Sequence, residues 1–284
     1  MPLTALVLIV FAAVAHSIWN LLSKRAAKHK HFIWFSSVCE AALFMPLAIW
    51  ALADSWPRLG VKAVILLSAT GILHLLYTES LLRGYRAGDF SVVYPLARGT
   101  GPLLSFVGAV LLLGEHASMP AVFGVLLVSC GILLLSGIAS GHAIGLAGLS
   151  WGVATGVTIA GYTLVDAYSV KILLLSPILV DYAGNLLRMI LLSGGAWQQR
   201  STLALEWSLC WKETLAVGVL MPLAYILVLV AMRIAPVSHV APAREMSMMI
   251  GAYMGAKFLS EPHLVRRLTA SALIAGGVAA LALG

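Results

Sequence analysis

The sequence predicts an all-α integral membrane protein, ten transmembrane helices arranged as two inverted five-helix repeats over residues 1–140 and 141–284. Three observations predict it. First, 61% of the 284 residues are hydrophobic, 10% are charged, and the mean hydropathy is +0.99. A soluble domain carries roughly 25% charged residues, so this chain lacks the polar groups to cover a water-facing surface. Second, the apolar residues fall into runs of about 20, the length a helix needs to cross the hydrocarbon. Third, the two halves share a frame at a spacing of 146 residues.

The expected spans, in order, cover about 3–22, 32–52, 63–82, 91–113, 118–138, 146–170, 176–194, 213–233, 238–259 and 267–283. The first has no basic residue before it, is followed by Lys24-Arg25 and lacks a small-residue cleavage pattern, so it reads as a retained span. Connections are short, and the longest polar one is expected near 195–212. With no separate soluble domain, any activity belongs inside the bundle.

The shared frame runs from Tyr94-Pro95-Leu96-Ala97-Arg98 to Gly114-Glu115, and again from Ala241-Pro242-Ala243-Arg244 to Ser260-Glu261. In each copy the glutamate follows the arginine by 17 residues. The same step carries Gly131 onto Gly277, and Ser105 and Ala109 onto Gly251 and Gly255. Five spans per half is odd, so the second copy enters the membrane inverted. That is the arrangement associated with alternating access around a midplane site. Ten Lys and Arg residues fall in the odd-numbered connections against four in the even ones. The positive-inside rule then places both termini outside.

Several function classes drop out. The net charge of +7 is spread over segment ends, where anionic lipid accounts for it, and forms no nucleic-acid stripe. Cys39, Cys130 and Cys210 have no ligand or redox spacing and read as small apolar residues, so no metal site or cofactor is expected. No G-x-S-x-G, H-E-x-x-H or P-loop occurs, and Asp89 and Asp166 lack the intramembrane aspartyl motif, which argues against an enzyme.

An ionisable residue at the centre of a span costs roughly 2.5–3.5 kcal/mol on insertion scales, so each needs a reason. The sixth span is the clearest case. Trp151, Thr155, Thr158, Tyr162 and Asp166 lie on one helical face, a polar stripe that either lines a cavity or bonds neighbouring helices. The first span has His16, Trp19 and Asn20 on one face, as a binding surface or an interface anchor. In the third, His74, Tyr77 and Thr78 share a face while Glu79 points elsewhere, with Arg98 as its expected ion-pair partner.

Arg98 shares a face with Tyr94, and Arg244 is its repeat counterpart, with Glu245 beside it. A guanidinium stays charged and its fork of donors suits a carboxylate, so either arginine can clamp an anionic group. Tyr94, Trp19, Tyr162 or Tyr225 would then face an apolar side chain. The competing reading is that both arginines lock helix ends. Gly99, Gly101 and Pro102 are expected to interrupt the fourth span, and Pro236 and Pro242 the start of the ninth. Gly251 and Gly255 form a small-xxx-small face that either packs two helices together or gates between them.

Ten spans in five-plus-five order, with Pro95 through Gly114-Glu115, Gly124 and Gly131 in one half and Pro242 through Glu261 and Gly277 in the other, resemble the drug/metabolite transporter superfamily. The likeness is to its bacterial ten-helix EamA-type branch, and within that to the YddG-like exporters of aromatic amino acids. Ser260 departs from the pattern, which has glycine there. The resemblance implies residence in a bacterial cytoplasmic membrane. It also implies a cavity lined by the third, fourth, eighth and ninth helices, with the first and sixth beside it, and export of a small amphiphilic metabolite. Protons are the candidate coupling ion, with Asp166, Glu79 and Glu245 placed to respond. A passive channel and a non-transporting scaffold are the alternatives, and saturable counterflow separates a carrier from both.

Overall fold

A computed structural model describes residues 1–26, 28–87, 90–136, 145–250 and 264–284. Among them every regular element is helical. The order is α1 (Leu3–Ala26), α2 (Phe32–Ser55), a 3₁₀ turn (Trp56–Arg58), α3 (Val61–Ala87), α4 (Phe90–Leu113) and α5 (Met119–Ser136). Then come α6 (Leu146–Lys171), α7 (Pro177–Gln198), α8 (Arg200–Ile234), α9 (Val237–Ala243) and α10 (Leu264–Leu283).

The surface is built inside out relative to a water-soluble protein. Leu111, Leu112, Met119, Phe123, Trp50 and Leu146 are exposed, while Glu40, Arg98, Asp166 and Glu245 are buried. Such an arrangement is unfavourable in water and natural in lipid, where outward apolar side chains lose nothing and polar ones must find partners within the bundle. The chain is therefore an all-α protein of multi-pass membrane type. By length and composition, six helices among the described residues qualify as spans: Leu3–Ser23, Phe32–Arg58, Val61–Gly84, Leu96–Leu113, Leu146–Lys171 and Arg200–Ile234. Met119–Leu134 and Leu268–Leu283 are apolar but shorter.

Three sequence expectations need correction. The fourth span is not interrupted: α4 runs unbroken through Gly99, Gly101 and Pro102. Gly101 serves contact instead of bending, since a Cβ there would lie 2.8 Å from Ile159 Cγ2 on α6. The segment 200–212 is not a polar loop. It forms the first turns of the 35-residue α8, where Glu206 accepts hydrogen bonds from the His31 backbone N–H and ring Nδ1, both at 3.0 Å. Cys130 is exposed on the apolar surface, whereas Cys39 and Cys210 are buried as expected.

The ninth span does break where proline suggested. α9 has only seven residues, Arg244 and Glu245 form a turn, and helix resumes at 246–250, the edge of the described stretch. Pro242 lacks the N–H that would continue the ladder. Gly251 and Gly255 lie outside the described residues.

Packing follows small residues. α5 lies against α10 through Gly124 and Gly277: a Cβ on Gly277 would sit 2.6 Å from the Gly124 carbonyl oxygen. α4 and α3 both pack on α6, α1 packs on α8, and α2 packs on α7 and α8.

Candidate functional site

The polar interior is assembled from side chains on α1, α3, α4, α6 and α8 and from the turn after α9. Glu245, fully buried, is its pivot. Arg98 donates from one terminal nitrogen to both Glu245 oxygens, at 3.2 and 3.3 Å. Arg244 donates from Nε to Glu245 Oε1 at 3.2 Å. Two guanidiniums thus share one carboxylate. The helix break is what allows this, because consecutive residues in a continuous helix point about 100° apart.

Arg98 also donates to His16 Nε2 at 2.9 Å. A guanidinium has no acceptor, so Nε2 accepts and the His16 proton resides on Nδ1. His16 in turn meets Trp19 edge-on, with ring centroids 4.9 Å apart. On the other side Arg244 reaches the Tyr162 hydroxyl at 3.5 Å and lies 5.8 Å from that ring's centroid. Guanidinium over an aromatic face is a favourable cation–π contact.

Tyr162 is the centre of an aromatic group. His74 stacks on it with centroids 4.1 Å apart, and Tyr77 and Tyr225 meet it at 5.9 and 6.3 Å in edge-on geometry. His74 is oriented by its Nδ1, 2.9 Å from the Thr70 carbonyl one turn earlier. Tyr225 donates its hydroxyl to Asp166 Oδ2. Asp166 Oδ1 has no hydrogen-bond partner among the described residues. His16, His74, Tyr225 and Arg244 are surrounded by protein yet partly solvent-accessible. Each therefore keeps part of its surface open within the polar interior, the setting in which intramembrane charges are tolerated.

Of the residues singled out in the sequence, His16, Trp19, Tyr77, Arg98, Tyr162, Asp166, Tyr225 and Arg244 come together. Glu79 does not. It pairs with Arg83 at 2.7 Å on the half-exposed end of α3, and Arg83 lies 5.3 Å from the Trp151 ring centroid. The expected Glu79–Arg98 pair is therefore replaced by Glu79–Arg83 and Arg98–Glu245. The side chain of Tyr94 lies outside the described residues. Thr155 and Thr158 donate to carbonyls of their own helix at 2.7 and 2.8 Å, so their part of the stripe is satisfied locally.

Sequence reading undervalued His74 and Glu245. The signal for His74 was its shared face with Tyr77; for Glu245 it was adjacency to an arginine, whose meaning depends on the break.

A second buried network joins α2 to α7. Arg188 donates to Glu40 Oε2 at 3.2 Å, Ser37 Oγ at 3.0 Å and Asn185 Oδ1 at 2.8 Å. Asn185 Nδ2 donates to the Ser37 carbonyl at 3.0 Å.

At one end of the bundle, Gly114 adopts a positive φ of 68° and turns the chain after α4, so that the Glu115 N–H bonds the Ala109 carbonyl at 3.2 Å. Glu115 then accepts from the Val237 and Ser238 backbone N–H groups at 2.7 and 2.8 Å, from Ser238 Oγ at 2.7 Å and from Lys171 at 2.8 Å. Burial pushes its carboxyl up, but these four donors outweigh it and hold the group below the usual carboxylate range.

No family model and no curated protein matches the chain. Among solved structures, 29 chains match. One of them, named only as a crystal structure of a protein, aligns over 100% of this chain and 98% of its own with a TM-score of 0.73 at 17% identity. Likeness at that identity speaks to the fold alone: the chain shares a whole-length architecture with a protein solved experimentally.

Proposed function

We propose that this chain is a secondary carrier of the drug/metabolite transporter type, with ten spans in two inverted five-helix repeats. Its substrate is a small amphiphilic metabolite, foremost an aromatic or other hydrophobic amino acid, exported across a bacterial cytoplasmic membrane by alternating access. The observation that carries the reading is the buried cluster in which Arg98 and Arg244 share Glu245 beside the Tyr162, His74 and Tyr225 rings. Guanidiniums suit a carboxylate, and the rings suit an apolar side chain. The cluster sits at a discontinuous helix, the element from which carriers commonly build midplane sites.

The packing supports the repeat. With α1 paired to α6 and α3 to α8 as counterparts, the α1–α8 contact is the mate of α6–α3. The α2–α7 and α5–α10 contacts each join an element to its own counterpart. The N-terminal ammonium donates to the Ala282 carbonyl at 2.9 Å, so both termini share one face, as an even number of crossings requires.

Counterflow in proteoliposomes preloaded with amino acids, with labelled phenylalanine as tracer, tests this. The expected result is saturable exchange competed by tryptophan and tyrosine, and reduced at least about tenfold in Arg244→Ala, the loss of one charged hydrogen-bond donor. Absence of exchange with any amino acid, in protein shown to be folded, overturns the substrate class.

A further inference from the structure

We infer that Asp181 on α7, acting with Asp166 on α6, forms a subsite for a positively charged ammonium group of the substrate. This rests on the carrier reading and extends it to how the substrate is oriented. Asp181, Asn185 and Arg188 are spaced i, i+4 and i+7, so they share one face of α7. Asn185 and Arg188 are committed to Ser37 and Glu40 on α2. Asp181 makes no hydrogen bond or ion pair among the described residues. It is surrounded by protein, partly solvent-accessible, and its charged neighbours are Glu40, Arg188 and Asp166. Part of this carboxyl is thus open to an approaching group.

Charge balance gives the subsite its sign. Among the described residues the deep interior holds four carboxyls, Glu40, Asp166, Asp181 and Glu245, against three guanidiniums, Arg98, Arg188 and Arg244. All three guanidiniums are engaged by Glu245 or Glu40. That leaves Asp166 and Asp181 with no ion pair of their own among the described residues, although Arg244 and Arg188 lie close enough to act on them. Asp166 is 0% exposed; the Tyr225 hydroxyl donates to its Oδ2, the Thr70 hydroxyl lies close by, and Oδ1 has no partner within hydrogen-bond geometry among the described residues. A buried carboxylate is tolerable when a counter-charge arrives.

The interior is therefore bipolar: arginine-rich beside Tyr162 and acidic beside Asp166 and Asp181. One turn of α6, about 6 Å of rise, separates Tyr162 from Asp166. A zwitterion with its carboxylate toward Arg244 and its ammonium toward the aspartates matches both ends.

Competition against phenylalanine counterflow tests the subsite on the wild-type protein, using 3-phenylpropionate, which lacks the amine, and phenethylamine, which lacks the carboxylate. Phenylpropionate is expected to compete at least about tenfold more weakly than phenylalanine, a charged hydrogen bond being lost. In Asp181→Asn, phenylalanine weakens by a similar factor and phenylpropionate does not; Asp181→Glu retains the discrimination. Equal competition by phenylpropionate and phenylalanine in wild type overturns the subsite, and needs no variant to fold. So does an Asp181→Asn protein that keeps the discrimination, including one altered only in the pH dependence of flux, which would make Asp181 a proton carrier. A wild type without saturable exchange is the different failure, that of the carrier reading itself.

Discussion

Glu245 is the residue on which the interior depends. Burying a carboxylate is expensive, and here two guanidiniums offset the cost while using each other's partner. Removing Glu245 leaves two like charges close together inside the bundle. Glu245→Ala is expected to lower stability by about 3–5 kcal/mol, the usual cost of deleting one partner of a buried ion pair. Thermal unfolding in detergent measures it, and adding Arg98→Met should recover part of the loss. A Glu245→Ala protein as stable as wild type would show that the arginines are held by other contacts. The aromatic stripe of α6 was legible because its spacing is a property of one helix. The partner of Arg98 was not, because Glu79 and Glu245 are equally acceptable in one dimension and only the bundle decides which comes near.

Elements meet through two devices that the repeated frame hinted at. One is the Gly114-Glu115 pair. Glycine permits the positive φ that turns the chain back, and the glutamate thereby reaches the N-terminus of α9 and the end of α6. Its carboxyl is held below its ordinary value of 4.5 in the folded protein, so this contact stabilises the fold above that value. The contribution is lost as pH falls through the lowered folded value. At neutral pH, Glu115→Ala should be less stable than wild type by about 1.5–3 kcal/mol, the range for hydrogen bonds to a charged group. The gap should close in acid, and a pH-independent gap would rule out the charge as its cause. The second device is the close approach of α5 and α10. Gly277→Leu places atoms against the Gly124 carbonyl, already 2.6 Å from a Cβ, and should cost about 1–3 kcal/mol by overpacking. Thermal melts against the outward-facing control Leu283→Ala separate packing from general apolar loss.

At the scale of the whole molecule the sequence-derived plan of spans is only partly matched by length and composition, since six helices qualify among the described residues where ten were expected. α7 carries Asp181, Asn185 and Arg188 on a face turned to the interior, α9 is broken, and α5 and α10 are short. A hydropathy average penalises α7, although polar residues facing inward do not prevent a helix from lying in lipid. By contrast, α5 and α10 are apolar and fall short only in described length. The N-terminal ammonium held by the Ala282 carbonyl predicts that tags on the two ends are accessible from the same side of the membrane. Protease or impermeant-label access to each end in oriented vesicles checks this, and opposite accessibility would contradict the contact.

Composition and helical period by themselves determined an all-helical membrane architecture and the inward face of α6, and singled out Arg98 and Arg244 as charges within apolar stretches. These follow from local rules: apolar content sets the solvent, and 3.6-residue spacing sets the face. Only the tertiary structure decided that both arginines share Glu245, that His74 stacks on Tyr162, that Glu79 stays at the rim, and that α4 runs straight where α9 breaks. Each of those outcomes depends on which helices touch, and partners distant in sequence compete on equal terms until packing brings one of them within hydrogen-bond reach.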